Sequence, residues 1–200
     1  MDWLPVAMAV AGYLLGSIPF GILVSKALGA PDPRTAGSRN IGFTNVLRLS
    51  GKAAGFLTLA GDAGKGLLVS WIAAQNLEAP MVLLVALTPV LGHLYSVFLR
   101  FRGGKGVATA MGSVTGVDPL LGLLMLTVWL MTAAIWRYSS GAALAACLAL
   151  PLGALAAGRP WFFVAFTVVL SGLIVSRHLG NIQRLWAGME PKLGEKHKLT

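Results

Sequence analysis

Five stretches of this 200-residue sequence contain no aspartate, glutamate, lysine or arginine over 17 to 23 residues. They are Trp3–Ser25, Ala79–Leu99, Pro119–Trp136, Tyr138–Gly158 and Pro160–Ser176. About 20 apolar residues in a helix cross the hydrocarbon core of a bilayer, so each stretch predicts a transmembrane helix. Only 12% of the residues are charged and the mean hydropathy is +0.75, which leaves too little charge to cover a soluble surface. An all-α, polytopic integral membrane protein is therefore expected.

Two weaker stretches could also cross the membrane. Ala53–Asn76 is long enough but contains Asp62 and Lys65, and Gly106–Val117 is apolar but has only 12 residues. As a helix the shorter stretch is only about 18 Å long, so it spans only if Gly103–Lys105 or Asp118–Leu120 extend it or if the bilayer thins. With both included, one domain (1–200) has predicted helices at about 3–27, 53–76, 79–100, 105–117, 119–137, 139–158 and 160–178, a cytoplasmic loop at 29–51 and a cytoplasmic tail at 181–200.

The positive charges indicate the orientation. If all seven stretches span and the N-terminus lies outside, the cytoplasmic segments contain fourteen of the sixteen lysines and arginines. Such an asymmetry follows the positive-inside rule. If only the short stretch did not span, every later loop would lie on the opposite side of the membrane and the charge asymmetry would be lost. We therefore predict seven transmembrane helices with an outer N-terminus and a cytoplasmic C-terminus. Five spans with two re-entrant segments are the alternative.

Three polar clusters fall on the predicted cytoplasmic side. The first reads Gly37-Ser38-Arg39-Asn40-Ile41-Gly42-Phe43-Thr44-Asn45 and is followed by Arg48. Its glycines let the backbone approach a ligand closely, and arginine can bind phosphate oxygens through two hydrogen bonds. Taken alone, this cluster could also be an ordinary polar loop with a helix cap.

The second cluster, Phe101-Arg102-Gly103-Gly104-Lys105-Gly106, precedes the short apolar stretch. Consecutive glycines can turn their backbone amides toward an anion, and the lysine adds a positive charge. The spacing does not match a Walker A motif, so nucleotide hydrolysis is not indicated. The third cluster, Arg177-His178-Leu179-Gly180-Asn181, follows the last stretch. The second cluster could also be a basic turn at a helix end, and the third could be a snorkelling arginine beside an interfacial histidine.

Together the clusters combine several cations with few acids, which indicates a site for a dianionic headgroup. No set of potential ligands has metal-site spacing, so no metal and no cofactor are expected. Nucleic acid is not expected either, because long apolar runs separate the basic residues. Within the predicted spans, Asp62 and Lys65 lie three residues apart. We interpret them as a structural ion pair bordering the site, and His93 as a buried, hydrogen-bonded histidine.

These motifs, in this order along nearly the whole chain, resemble the bacterial acyl-phosphate-dependent glycerol-3-phosphate acyltransferases, called PlsY. The segments that carry the resemblance are Gly16–Gly21, Gly37–Asn45 with Arg48, Asp62–Gly66, Gly92-His93, Gly103–Gly106, Arg137-Tyr138, Arg177-His178 and Asn181-Ile182. The resemblance implies seven helices in the inner membrane and a site facing the cytoplasm. It also implies acyl transfer from acyl phosphate to the 1-hydroxyl of sn-glycerol 3-phosphate. The products would be lysophosphatidic acid and phosphate, in the first acylation of phospholipid synthesis.

The resemblance further suggests which residues act and what they bind. Ser38, His178 and Asn181 would be catalytic, by orienting the substrates and the leaving phosphate. The residues that would bind substrate phosphate are Arg48, Lys105, Gly103, Gly104, Gly106, Thr44, Asn45 and Ser140. The expected partners are acyl phosphate, glycerol 3-phosphate and the lipid bilayer, with a monomer favoured.

Two points of mechanism stay open at this level. His178 could be the general base, or it could orient the hydroxyl while the substrate phosphate accepts the proton; we favour the orienting role. Ser38 as an acylated nucleophile is disfavoured, because no base partner for it can be identified by spacing.

Four positions depart from the family's usual residues. Gly180 replaces a glutamate, Ser96 replaces a proline, and Arg39 and Phe43 replace smaller residues. A divergent relative with altered activity is therefore one alternative. Another is a membrane transporter of phosphate or a phosphorylated metabolite, although the sequence lacks the clear internal repeats typical of transporters. A non-catalytic scaffold is a third, but it leaves the three clusters unexplained.

Overall fold

A computed structural model describes residues 3–195, and within that range every regular element is helical. The helices are α1 (Trp3–Ser17), α2 (Phe20–Ala27), α3 (Phe43–Asn76), α4 (Met81–Leu94), α5 (Val107–Val117), α6 (Pro119–Trp136), α7 (Ser139–Ala156), α8 (Trp161–Ser176) and α9 (Leu179–Trp186). The all-α prediction is confirmed for this part of the chain. Residues 196–200 of the predicted tail 181–200 lie outside the described residues.

The helices differ in how clearly they qualify as membrane spans. Three are long and apolar enough, if α4 is counted through the 3-10 turn that ends at Leu99. The number rises to five when each of the bent pairs α1–α2 and α8–α9 is counted as one span. α5 is apolar but short, and α3 contains buried charged residues. An integral membrane protein is therefore supported, while the count of seven spans stays a prediction.

The first predicted span, 3–27, is broken in the structure. α1 ends at Ser17, α2 starts at Phe20, and the two helix axes differ by 43°. Pro19 explains the break, because proline has no N–H to donate inside a helix and clashes with the preceding turn. At the break, the carbonyl oxygen of Ile18 accepts a hydrogen bond of 2.9 Å from Lys65 Nζ. A backbone group that lipid could not satisfy is thereby paired.

The predicted loop 29–51 and the second predicted span, 53–76, were divided at the wrong place. α3 starts at Phe43, so residues 43–51 are helical rather than loop. The polar composition of residues 43–51 suggested a loop, but the segment forms helical turns whose inner side contains the fully buried Val46. Gly51, with φ 83° and ψ −178°, then kinks α3, and glycine adopts such angles without a steric penalty. The kink sets the polar first two turns of α3 apart from its apolar body.

The third predicted span, 79–100, agrees with the structure to within two residues at each end, but it contains two elements, α4 and a 3-10 turn that ends at Leu99. α4 ends at Leu94, and Arg100 and Phe101 have left-handed φ angles of 52° and 62°. These residues turn the chain back, so that the amide of Gly103 donates to Leu94 O at 3.1 Å. The glycine cluster is consequently held against the end of α4. The four later predicted spans agree with α5 to α8 to within two residues at each end.

Glycines allow α3 and α5 to pack closely. A Cβ atom placed on Gly66 would lie 2.2 Å from Thr109 O, and one on Gly112 would lie 2.0 Å from Ala63 O. Small residues bring helix backbones together in membranes, where dispersion contacts replace the hydrophobic effect as the source of association. This contact holds the start of α5, and with it the second polar cluster, beside α3.

We expect Gly112→Ala to destabilise the protein, because its methyl group must displace a backbone carbonyl of α3. Overpacking of this kind typically costs about 1–3 kcal/mol. Gly64→Ala is the matched control, since a Cβ atom at Gly64 meets nothing within 4 Å. Thermal unfolding in detergent, followed by tryptophan fluorescence, should show a lower midpoint for Gly112→Ala and an unchanged or higher one for Gly64→Ala. Equal midpoints would contradict the close packing of α3 and α5.

Candidate active site

The three polar clusters line one cavity of about 990 Å³. The predicted site residues on its wall are Ser38, Thr44, Asn45, Arg48, Lys105, Gly106, Ser140, His178 and Asn181. An apolar part of the wall is formed by Phe56, Leu59, Met111, Leu126, Trp129 and Leu130. The predicted convergence of the clusters is thus found, and the cavity combines cationic and apolar surfaces. Gly103 and Gly104 are absent from its lining.

A chain of hydrogen bonds crosses the polar wall and links the second and third clusters. Lys105 Nζ donates to Asn181 Oδ1 at 2.5 Å, and Asn181 Nδ2 donates to Glu190 Oε1 at 2.6 Å. The same carboxylate accepts from Ser140 Oγ at 2.7 Å and from Arg184 Nε at 2.8 Å. Because both ends of the Asn181 amide are engaged, its oxygen is fixed toward the lysine. The network therefore orients Asn181 and holds the Lys105 ammonium at the cavity wall.

Glu190 is the site residue that the sequence reasoning missed. Its side chain is only 8% exposed, although it lies in the predicted cytoplasmic tail. Burial disfavours its charge, but hydrogen bonds from Ser140, Asn181 and Arg184 outweigh that cost and hold the pKa of Glu190 below its ordinary value. The available signal in the sequence was the presence of two acids, Glu190 and Glu195, among the basic residues of the tail.

The tail beyond α9 closes one side of the cavity. Arg48 Nη2 donates to the carbonyl oxygens of Pro191 and Lys192, both at 3.1 Å. Leu193 N donates to Arg137 O at 2.6 Å, and Arg137 Nη2 donates to Leu193 O at 2.9 Å. Residues 190–193 are therefore tied both to the start of α3 and to the connection between α6 and α7. One edge of the Arg48 guanidinium is already occupied by the tail.

Asn45 has a different environment from the one expected for a phosphate ligand. It is 1% exposed, and its Nδ2 donates to Pro33 O at 2.8 Å and to Asn40 O at 2.9 Å. Its Oδ1 accepts from Ser38 N at 3.0 Å. With these bonds made, the amide has no donor left for a phosphate, so Asn45 shapes the loop that presents Ser38. Thr44 Oγ1 similarly pairs with Ser139 Oγ at 2.8 Å and joins α3 to α7.

The backbone amides of Gly103 and Gly104 also differ from expectation. They donate to Leu94 O at 3.1 Å and to His93 O at 3.0 Å, so they cannot form the anion-binding concavity that consecutive glycines suggested. The reversed chain direction at Arg100 and Phe101 turns them inward, toward α4. Their carbonyl groups face Arg177, whose guanidinium donates to both oxygens at 3.4 Å.

Gly106 retains a role at the cavity wall. It precedes α5 with a left-handed φ of 81° and has no side chain with which to cap the helix. The first amides of an α-helix have no partner within the helix, and Gly106, Val107 and Ala108 line the cavity. The N-terminus of α5 therefore adds partial positive charge beside Lys105. The backbone at this part of the cavity wall belongs to the start of this helix and not to the two preceding glycines.

His178 lies between α8 and α9 and is 2% exposed. Its Nδ1 is 2.8 Å from Ile174 O; because a carbonyl oxygen only accepts, Nδ1 carries the ring proton. Burial lowers the pKa of His178 to about 4, with the nearby Lys105 charge adding to the shift while Ile174 O and Glu190 oppose it. The ring is therefore neutral at pH 7 with Nε2 as an acceptor. It is suited to orienting a hydroxyl group and is a weak base.

Lys105 lies in the loop before α5 among several cations. Burial lowers the pKa of its ammonium to about 8; Glu190 opposes this shift, and Arg184, Arg48 and Arg177 add to it. A lysine with that pKa is still mostly charged at pH 7. The cationic wall thus carries a net positive charge near neutrality, with one partly compensating carboxylate.

Two of the positions that depart from the family pattern have clear surroundings. A Cβ atom on Gly180 would meet only Arg184 Nη1, at 3.6 Å, so a side chain would fit there. The carboxylate that contacts Asn181 comes instead from Glu190. Ser96 Oγ donates to Ser17 O at 2.6 Å and satisfies a buried carbonyl at the end of α1.

Helices, cavity and charge distribution together define a helical integral membrane protein with a cavity suited to an amphiphilic anion. The sequence profile of the glycerol-3-phosphate acyltransferase family matches residues 6–188. The chain belongs to this family, and the resemblance seen in its motifs is confirmed.

Relatives and solved structures agree with this assignment. The chain is 46% identical to a glycerol-3-phosphate acyltransferase of Laribacter hongkongensis (96% of this chain, 98% of the relative) and 50% identical to one of Methylobacillus flagellatus (94% and 96%). It is similar to crystal structures of PlsY, an integral membrane glycerol 3-phosphate acyltransferase. The glycerol 3-phosphate form has a TM-score of 0.90 and 39% identity (95% of this chain, 96% of that one). The lysophosphatidic acid form has a TM-score of 0.88 and 38% identity (95% of both).

Proposed function

We propose that this protein transfers an acyl group from acyl phosphate to the 1-hydroxyl of sn-glycerol 3-phosphate, giving lysophosphatidic acid and phosphate. The observation that carries the proposal is the composition of the cavity wall. Its polar part contains Arg48, Lys105 and the N-terminus of α5, which suit a phosphate dianion. Its apolar part, on α3, α5 and α6, suits an acyl chain. Membership of the family supplies the reaction that joins these two chemistries.

The reaction needs little from a strong base. The oxygen of the 1-hydroxyl attacks the acyl carbonyl carbon, the bond from that carbon to the bridging phosphate oxygen breaks, and phosphate leaves. The hydroxyl proton ends on a phosphate oxygen. Because the mixed anhydride already contains a good leaving group, the protein acts mainly by positioning and by stabilising developing negative charge. Lys105 and Arg48 supply that charge stabilisation.

His178 and Asn181 orient the reactants in this scheme. The His178 ring, neutral with Nε2 as acceptor, receives a hydrogen bond from the attacking hydroxyl. Its pKa of about 4 makes it a weak base, which supports transfer of the proton to substrate phosphate. Ser38 contributes a hydroxyl at the cavity wall rather than a nucleophile, since that hydroxyl makes no hydrogen bond to a base within residues 3–195.

The proposed topology places this chemistry at the cytoplasmic surface of the bacterial inner membrane. The chain crosses seven times, with α1–α2 as one span and α3 to α8 as the other six, the N-terminus outside and the C-terminus cytoplasmic. The distribution of lysines and arginines supports this orientation, as does the gathering of the basic clusters around one cavity. The protein acts as a monomer, because one chain supplies every named group of the site.

The activity assay uses purified protein in detergent with palmitoyl phosphate as donor. We expect phosphate release and lysophosphatidic acid formation that both require glycerol 3-phosphate. Glycerol as acceptor and palmitoyl-CoA as donor are the controls and should give neither product. If no lysophosphatidic acid forms but the protein moves phosphate or glycerol 3-phosphate across proteoliposomes, the transporter interpretation replaces this one.

The pH dependence of kcat/KM for glycerol 3-phosphate should follow the ionisation of Lys105. Its charge is present below a pKa of about 8 and is lost above it, whereas a phosphate monoester, with a second pKa of about 6, stays dianionic in that range. We expect kcat/KM for glycerol 3-phosphate to fall about tenfold per pH unit above the lysine pKa, since kcat/KM reports ionisations of the free enzyme. Lys105→Arg should lack this limb near pH 8, because arginine stays charged. An identical alkaline limb in Lys105→Arg would assign the ionisation to another group.

A further inference from the structure

We propose that Asp62, Lys65 and His93 form a buried positioning cluster that fixes the Gly103–Gly104 turn and, through it, the place of Lys105 in the phosphate site. This inference rests on the proposed function. It goes beyond a structural ion pair, because it assigns the cluster an effect on substrate binding. None of the three residues lines the cavity.

The cluster is tightly packed inside the helix bundle. The side chains of Asp62, Lys65 and His93 are 3%, 1% and 4% exposed. Lys65 Nζ is 2.9 Å from Asp62 Oδ1, 2.9 Å from His93 Nδ1 and 2.9 Å from Ile18 O. The ammonium thus hydrogen-bonds to His93 of α4 and to Ile18 at the α1–α2 break, and it forms an ion pair with Asp62 of α3. An ionisable group in a membrane is tolerated when it is paired in this way.

The geometry fixes the orientation of the His93 ring. A lysine ammonium only donates, so Nδ1 of His93 accepts from Lys65, and the same nitrogen lies 3.4 Å from Asp62 Oδ1. The lysine also lies 5.7 Å from the centroid of the Phe20 ring, which restricts its own position. Lys65 therefore restrains the position of the His93 side chain.

His93 in turn supports the glycine turn by its backbone and by its ring. Gly104 N donates to His93 O at 3.0 Å. A Cβ atom on Gly104 would lie 2.3 Å from His93 Nε2, and one on Gly103 would lie 1.9 Å from His93 O. The close approach of His93 thus requires glycine at both positions. A shift of the ring must move the turn.

Lys105 follows Gly104 directly, so the position of the turn sets the position of its side chain. The ammonium has to meet both Asn181 and an incoming phosphate, and misplacement of a binding group by about 1 Å can cost on the order of 100-fold. The cluster is therefore expected to act on substrate affinity through Lys105, while a purely structural role would lower stability without such a link.

The first test is a double-mutant cycle between His93→Ala and Lys105→Ala, read by calorimetric binding of glycerol 3-phosphate to purified protein. In the wild-type background His93→Ala should weaken binding by about 10- to 100-fold. In the Lys105→Ala background it should weaken binding less than about twofold, because the group it positions is gone. Equal effects in both backgrounds would overturn the proposal. Ser70→Ala, which removes another buried polar atom of α3, is the control and should leave binding unchanged.

The second test remains informative if His93→Ala folds poorly. Gly104→Ala alone should raise KM for glycerol 3-phosphate, because its methyl group meets the His93 ring. Combining it with His93→Asn, which keeps an acceptor for Lys65 but shortens the side chain, should bring KM back toward that of His93→Asn alone. Failure of this rescue, with both variants folded by thermal melting, would overturn the ring–turn contact. Wild-type protein that neither binds glycerol 3-phosphate nor forms lysophosphatidic acid would instead refute the proposed function.

Discussion

Lys105→Ala is expected to lower kcat/KM for glycerol 3-phosphate by about 100-fold or more, the largest loss among single substitutions in the site. Removing one member of a desolvated charge pair typically costs about 2–5 kcal/mol. The lysine lies where the N-terminus of α5, Asn181 and the cavity meet, so its loss removes a positive charge from the proposed phosphate site itself. Steady-state rates at saturating palmitoyl phosphate measure the effect.

Lys52→Ala is the matched control for this prediction. Lys52 is an exposed cation just after the Gly51 kink and lies outside the cavity wall. Its removal should change kcat/KM less than about twofold, as expected for an exposed charge. If the two alanine variants lost activity equally, general electrostatic attraction would explain the effect and the specific role of Lys105 would be wrong.

Glu190→Gln is expected to reduce kcat/KM by about 10- to 100-fold and to move the alkaline limb of its pH profile to lower pH. The carboxylate accepts hydrogen bonds from Ser140, Asn181 and Arg184. In the glutamine variant an NH2 group replaces one carboxylate oxygen, and this group cannot accept the hydrogen bond that the oxygen accepted. Leaving members of a buried network unsatisfied costs about 1–3 kcal/mol. The shift of the limb follows because Glu190 raises the pKa of Lys105, so its loss lowers that pKa further.

Glu195→Gln separates this effect from a general loss of negative charge. Glu195 lies in the same tail but is exposed, and it accepts only from Lys192 N, at 3.0 Å, among the described residues. Neither kcat/KM nor the alkaline limb should change in this variant. A Glu190→Gln profile with the wild-type limb would contradict the electrostatic coupling of Glu190 to Lys105.

Much of the site could be predicted because short sequence motifs contain the residues that determine its chemistry. Charge-free runs located the helices, and the positive-inside rule placed the three polar clusters on one side. Arg48, Lys105, His178 and Asn181 were therefore expected to meet, and the cavity contains all four. Such predictions are favoured in a membrane protein, because a chain in lipid has few folds in which all its backbone N–H and C=O groups are hydrogen-bonded.

The remaining features depend on tertiary contacts that no local pattern reports. The amides of Gly103 and Gly104 point inward because two residues before them adopt left-handed angles. Asn45 was predicted to bind phosphate, yet its side-chain amide donates to carbonyl oxygens of its own loop. Glu190 becomes part of the site only because the tail folds back along Arg48.

Equilibrium binding of glycerol 3-phosphate to the purified protein tests the central claim most directly, namely that one cationic wall, built around Lys105, holds the substrate phosphate. Calorimetry should show one equivalent of glycerol 3-phosphate bound, no detectable binding of glycerol, and affinity weakened by at least about tenfold in Lys105→Ala. Binding that does not depend on the phosphate group, or that is as tight in Lys105→Ala as in the wild type, would contradict the account.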